Sequence, residues 1–391
     1  MTRINTTSHL SLSWRLPLLL IRCVVKLLAL CLSRSDISLL HWRQKLALAF
    51  LQALEASLTT TQRTAFTRKL PTGAGIQRYC RKNNLSHEAV AVDLSTHTNK
   101  IDVPAPVLHF VKDASAHPDG PTIFYFHGGG YHNPIRAEGH VPFALLCAKA
   151  SRASRVVFLE YSLTPEQPYP CQLIQAVAGL RYLLEDEDER IDAGNIILAG
   201  DSAGGHLIAS LLAHIVHPSP YAAPIDLRGG QFRAVVPISP WLVMARDERD
   251  RARLPHAPND WISRGTVARF TRMFRPALDE VWSDPLEAEA AGEVWKRLFP
   301  RNGGRAVCRR AILAVGTSEL LFGSFVKFAT DYLGFESICI DGQASVELLK
   351  EKDFVLAIAP GETHVQPSVD CALKYHDGRM TKAILAFLEA V

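Results

Sequence analysis

A chain of 391 residues, 48% apolar and 21% charged, carries enough hydrophobic side chains for a sizeable buried core and is not a disordered polypeptide. The net charge of +4 is unevenly placed: residues 1–70 hold ten Lys/Arg against two Asp/Glu, which leaves the remainder at −4. The body of the chain therefore offers no cationic surface for nucleic acid. Its eight cysteines are scattered, with no C-x-x-C pair and no Cys/His cluster at metal-ligand spacing. They read as free, small buried hydrophobes, which favours a reducing compartment. With no ligand cluster and no phosphate-binding loop, neither a metal nor a nucleotide cofactor is expected.

In chain order, the first feature is the apolar stretch 13–36, "SWRLPLLLIRCVVKLLALCLSRSD". Arg22 and Lys26 interrupt it and no small-x-small site follows, so it does not read as a cleaved signal peptide. At about 100° per residue, Arg15, Arg22 and Lys26 fall within roughly 40° of one another and leave the opposite faces apolar. That pattern suits a helix lying in a membrane interface or a signal anchor; a helix packed on the protein and a true span are the alternatives. Residues 35–75 look purely helical.

From residue 89 onward, apolar runs alternate with helical patterns. Residues 122–127, 154–161, 195–200, 232–239, 310–316 and 353–360 read as buried strands, rich in Val, Ile and Phe. Helices are expected near 137–152, 171–186, 203–216, 323–334 and 374–390. Near-continuous hydrophobic strands joined by helices imply a mostly parallel sheet covered on both faces, with working groups at the carboxyl ends of the strands. Residues 241–300, with Trp241, Trp261, Trp282 and Trp295, break the alternation and read as a cap over that edge. The expected organisation is a membrane-associating segment (1–40), a helical cap segment (41–85) and a catalytic domain (86–391) with the cap insertion at 241–300.

The chemistry gathers at the strand ends. Gly200-Asp201-Ser202-Ala203-Gly204 follows one expected strand and opens one expected helix, the setting in which a G-x-S-x-G turn lifts a serine hydroxyl from the sheet edge. Ser202 is the expected nucleophile. It needs a base, and His364, just beyond strand 353–360, is placed for it; His376 is the weaker alternative. The orienting carboxylate should lie between them in the chain at another strand end. Glu319 has that position, with Asp284 and Asp331 as competitors. "HGGGY" (127–131) follows the strand 122–127, and glycines there leave backbone N–H groups open to a close approach. Gly128, Gly129, Gly130 and Ala203 are the expected donors to an oxyanion.

"HGGGY", "EYSLTPEQPYP" (160–170) and "GDSAGG" (200–205), followed by the late Glu319 and His364, resemble the hormone-sensitive-lipase-like branch of the α/β-hydrolase family. The likeness covers about residues 85–391, and the pattern closely resembles fungal steryl acetyl hydrolase-like and arylacetamide deacetylase-like members. The family's usual acid is an aspartate; here Glu319 holds that place, and Glu160 and Ser162 depart from its "DYRLAPE"-like segment. The resemblance implies an α/β-hydrolase fold with a helical cap and a serine esterase using no cofactor. The implied substrate is a short-acyl ester, acetyl among the candidates, of a lipophilic alcohol such as a sterol or a secondary metabolite. Acyl transfer or lactone chemistry, and a non-catalytic hormone-receptor-like binding role, are the alternatives. The expected location is a membrane, the endoplasmic reticulum or lipid-droplet surface, with the cytoplasm as the alternative.

Overall fold

The computed structural model describes residues 6–59, 62, 70–94, 101–114, 116–186, 190–245, 247–301 and 303–391, with side chains from residue 15 onward. Residues 1–5 of the membrane-associating segment, and 60, 61 and 63–69 of the helical cap segment, lie outside it.

Among the described residues nine strands form one sheet in the order β1-β2-β4-β3-β5-β6-β7-β9-β8. They are β1 (Ser86–Ala91), β2 (Val107–Lys112), β3 (Thr122–Phe126), β4 (Arg155–Glu160), β5 (Ile196–Asp201), β6 (Phe232–Ile238), β7 (Cys308–Gly316), β8 (Glu336–Cys339) and β9 (Phe354–Ala359). β1 and β2 pair antiparallel with their neighbours; the other pairings are parallel. The six expected strands are β3, β4, β5, β6, β7 and β9. Every residue of β3 and β5 is buried because each strand feeds two cores. Ile123, Tyr125, Ile197 and Ala199 enter the core on one face, while Phe124, Phe126 and Leu198 enter the core on the other. That is the pleat's alternation with both faces covered, and polar residues stand only at the ends, Thr122 at the start of β3 and Asp201 at the end of β5.

The helices are α1 (Thr6–Leu32), α2 (Trp42–Ser57), α3 (Thr72–Lys82), α4 (Ala137–Ala150), α5 (Cys171–Glu185), α6 (Ala203–Val216), α7 (Glu248–Arg253), α8 (Arg264–Phe274), α9 (Ala291–Leu298), α10 (Phe322–Lys327), α11 (Gln343–Leu348), α12 (Gln366–Ala372) and α13 (Arg379–Glu389). The insertion 241–300 divides. Its first part, through α8, covers the carboxyl edge of the sheet, whereas α9 packs back against α6 beside the sheet. Trp295 is part of that flank: its indole N–H donates to Pro285 O at 2.8 Å, and its ring meets Phe328 edge-on. All eight cysteines are free; five are buried, while Cys31 and Cys339 are exposed and Cys23 is partly so.

α1 lies on α2, and two of its three cations face the protein. Arg15 Nη1 donates to Ser57 O at 3.2 Å, and Arg22 Nη1 donates to Ala56 O and Ser57 Oγ. The last carbonyls of α2 have no intrahelical partners and carry the negative end of its dipole, so they draw these guanidinium groups inward. α2 is pinned to the body of the sheet domain by Gln44, whose amide donates to Glu362 Oε1 at 3.3 Å and to Asp370 Oδ2 at 2.8 Å.

Glu362 and Asp370 are both buried. Glu362 accepts the N–H groups of Arg379 and Met380 at the start of α13. Burial and the charge of Glu362 push the Asp370 carboxyl up to about 8. The folded chain therefore keeps a proton that an unfolded aspartate releases near pH 4, and stability is lost as pH rises through about 8. Urea unfolding of the native chain should show lower stability at pH 9 than at pH 6, and Asp370→Asn should remove most of that difference. An equal pH dependence in both proteins would contradict the proton retained on Asp370.

Candidate active site

Strand β5 ends at Asp201 and helix α6 begins at Ala203, so Ser202 must reverse the chain within one residue. It does so at φ 51°, ψ −114°, a region costly for any side chain. Three backbone bonds hold it there: Ser202 N–H donates to Ile238 O, and Ser202 O accepts from His206 N and Trp241 N, all at 2.9 Å. The turn also needs Gly204, because a Cβ at that position would collide with the carbonyl of Phe126 at the end of β3. The nucleophile candidate is thus locked between three strand ends.

His364 stands on the loop after β9. Its Nε2 lies 2.9 Å from Ser202 Oγ and its Nδ1 lies 2.9 Å from Glu319 Oε2. With Nδ1–H donating to the carboxylate, Nε2 is left to accept the serine O–H, the arrangement that general-base activation requires. Glu319 follows β7, and its second oxygen, Oε1, accepts from Gly316 N at 2.7 Å and from Ser239 Oγ at 2.8 Å. Ser239 Oγ in turn accepts from Val365 N at 3.1 Å, next to the histidine. Of the competing candidates, Asp284 accepts from Glu287 N on a distant loop, Asp331 is exposed, and His376 is exposed beside Cys371. None of the three joins this group.

Gly128, Gly129 and Gly130 line a cavity of about 200 Å³ together with Ser202 and His364. Ala203 is the first residue of α6, where N–H groups have no intrahelical acceptor. Among the described residues nothing accepts from the N–H groups of Gly128, Gly129, Gly130 or Ala203. The glycines also make room. A Cβ on Gly128 would strike the carboxylate of Asp201, and one on Gly130 would strike the ring of Phe270 on the cap helix α8. His127 fixes the start of the loop: its own carbonyl accepts from Tyr161 OH at 2.6 Å and its Nδ1 donates to Gly128 O at 2.7 Å.

The family description "alpha/beta hydrolase fold" matches residues 123–322, just over half of the chain. The chain belongs to the α/β-hydrolase family.

Within that family it is 37% identical over 132 residues to the acetyl-hydrolase of Streptomyces hygroscopicus, and 39% identical over 90 residues to the carboxylesterase NlhH of Mycobacterium tuberculosis. The matched segments cover 33% and 23% of this chain, and the chain spans only 39% and 28% of the length of those two relatives. An esterase from the bacterial hormone-sensitive lipase family, of known structure, superposes with a TM-score of 0.56 at 19% identity, over 90% of this chain and 98% of that one. At that identity the likeness is one of fold.

In this α/β-hydrolase, buried ionisable groups surround Ser202. Burial disfavours the His364 imidazolium, but the hydrogen bond and charge of Glu319, with Asp260 and Asp201, outweigh it and raise its pKa above the ordinary value. Asp260 was not evident from the sequence. It sits in the cap insertion, where its carboxylate accepts from Leu320 N at 2.8 Å, Trp261 N at 2.8 Å and His364 N at 3.3 Å. Burial pushes it up to about 6, against the charge of His364. His206 and His127 are held down near 4 by burial and stay neutral structural donors and acceptors. Ser239 and Asp260 reach the site from segments far apart in sequence; only the placement of Ser239 just past a strand end hinted at a role.

In spectra of histidine-labelled protein, His364 should titrate above 6.5, and Glu319→Gln should bring its pKa down because the largest favourable interaction of the imidazolium is lost. Asp284→Asn should leave that pKa in place. A pKa that drops on Asp284→Asn and not on Glu319→Gln would show that the wrong acid has been chosen.

Proposed function

We propose that the chain is a serine carboxylic-ester hydrolase acting through an acyl-enzyme. The observation that supports it is the continuous relay Glu319–His364–Ser202, 2.9 Å at both steps, opening on a cavity whose floor carries N–H groups with no acceptor among the described residues. In this reading Ser202 Oγ attacks the ester carbonyl while Nε2 of His364 takes its proton, and the carbonyl oxygen becomes an oxyanion among the glycine and Ala203 N–H groups. The imidazolium then protonates the departing alcohol, and water repeats the sequence to release the acid. The names of the relatives, an acetyl-hydrolase and a carboxylesterase, agree with this chemistry and favour a short acyl group. Trp241, Trp261, Ile262, Val267 and Phe270 give the cavity apolar walls that suit a lipophilic alcohol. Ser202→Ala should lower turnover of 4-nitrophenyl acetate by at least about 10³-fold with the fold intact by circular dichroism. Retained turnover would end the nucleophile assignment.

The second part of the proposal concerns a lipid surface. Among the described residues no helix is long and apolar enough to cross a membrane. Yet the outer face of α1 exposes Leu18, Ile21, Val25, Leu28 and Leu32 at helical spacing; Ile21 is 60% and Leu32 80% accessible. α2 adds Trp42, Leu46 and Phe50 four residues apart, and its neighbouring face places Leu51 and Leu54 in the cavity wall. Such exposed apolar stripes are costly in water, and the basic character of residues 1–70 suits an anionic bilayer. The surface that would meet lipid thus shares a helix with the wall of the cavity. Flotation with vesicles containing phosphatidylserine should carry the full chain upward. Replacing Ile21, Val25, Leu28 and Leu32 together by serine should cut the bound fraction at least tenfold, and equal flotation of both proteins would reject the docking face.

A further inference from the structure

The cavity walls are not uniformly apolar. Arg136, just before α4, and Arg269, on the cap helix α8, both line the cavity. Each stacks on an aromatic ring that itself abuts the catalytic group. The Arg136 guanidinium lies 5.8 Å from the ring of Trp261, and that ring is 5.8 Å from His364. The Arg269 guanidinium lies 5.1 Å from the ring of Phe270, which occupies the space left by the missing side chain of Gly130. One cation therefore flanks the base and the other flanks the glycine run.

Among the described residues neither guanidinium makes a hydrogen bond or an ion pair, and the buried Nε of Arg269 has no partner. Arg136 is an exposed residue at the cavity lining and Arg269 a half-buried one. Burial disfavours the charge of both groups. Two carboxylates share the cavity lining; both are hydrogen-bonded to other groups, and the charge of Asp201 also supports that of Arg136. Glu55 Oε1 accepts from the Thr266 hydroxyl at 2.6 Å, and Asp201 accepts from Tyr125 OH and His140 Nε2. Both arginines therefore reach the cavity lining with donors that no protein acceptor among the described residues uses, so an anionic group entering the cavity would meet unsatisfied guanidinium N–H groups.

We infer that Arg136 and Arg269 form a binding site for a carboxylate carried by the ester itself. The planar guanidinium offers a fork of donors matched to a carboxylate, and stacking on Trp261 and Phe270 fixes the plane of that fork while leaving its edge free. The substrate class is then an ester that is apolar along most of its length and bears one acidic group near the scissile bond, on the acyl or the alcohol side. This deepens the esterase reading and rests on it only for the identity of the bond that is cleaved.

The test uses binding, so that it does not depend on turnover. In the Ser202→Ala chain, calorimetry compares monobenzyl glutarate with benzyl methyl glutarate, which differ in acyl-side charge, and 4-acetoxybenzoate with its methyl ester, which differ on the alcohol side. At least one charged member should bind tenfold or more tightly than its neutral partner, with the preference weakening as salt is raised. Adding Arg136→Gln or Arg269→Gln should bring that ratio close to one, Arg269→Lys should retain part of it, and Arg269→Glu should reverse it. Ratios within twofold for both pairs, or ratios unchanged by both glutamine substitutions, overturn the inference. In that case Ser202-dependent hydrolysis of the neutral esters by the native chain would still leave the esterase reading standing.

Discussion

Everything at the carboxyl edge of the sheet depends on the backbone of one residue. Ser202 is held at φ 51°, ψ −114°, and such a conformation costs on the order of 1–3 kcal/mol. The surroundings meet that cost with bonds from Ile238, Trp241 and His206, and with the close approach of Gly204 to the end of β3. A more relaxed turn would swing the hydroxyl away from His364, and the strand ends would lose their common focus. The same geometry explains the rest of the pentapeptide. Any side chain at Gly204 would push α6 off β3, and with it the N–H of Ala203.

The second dependence is between the cap and the base. Gln52 of α2 donates to Pro258 O and Asp260 O at 2.9 and 3.1 Å, and the Asp260 carboxylate accepts from the loops that carry Glu319 and His364. Trp261 Nε1 donates to the carbonyl of His364 at 2.8 Å. The N-terminal helices, the cap and the loops that carry Glu319 and His364 are therefore one hydrogen-bonded unit. Gln44 adds a second tie through the buried carboxylates of Glu362, two residues before the histidine, and Asp370. The N-terminal segment thus also supports the loop that carries His364, and its apolar outer face is carried on the same helices.

The central strands were legible because burial on both faces demands unbroken apolar runs, and β3 through β7 and β9 have them. β1 and β8 were not: residues 86–91 and 336–339 are largely exposed edge strands, and half-polar edges look like loops in one dimension. Ser202, His364 and Glu319 could be read because each sits just past a strand, where parallel topology gathers residues from distant segments. Position along the chain also favoured Glu319 over Asp284, and the structure brings Glu319 to the histidine. Asp260, Arg136 and Arg269 had no such marker. Their roles arise from how an irregular cap folds over the edge, and nothing in local pattern encodes that. The cationic stripe of α1 shows the opposite failure. Its angular clustering was visible, but the carbonyls that turn Arg15 and Arg22 inward belong to another helix.

The glycine run joins these threads, since its three missing side chains serve different neighbours. At Gly128 the space goes to Asp201, which is bound by Tyr125 and His140 and so steadies the residue before the nucleophile. At Gly130 it goes to Phe270, letting the cap close until an aromatic ring with an arginine stacked on it reaches the floor of the cavity. The loop thus sets how near the cap can come as well as what the oxyanion meets. Any side chain at Gly130 would lift Phe270 and Arg269 together, so catalytic geometry and ligand selection cannot vary independently at this position.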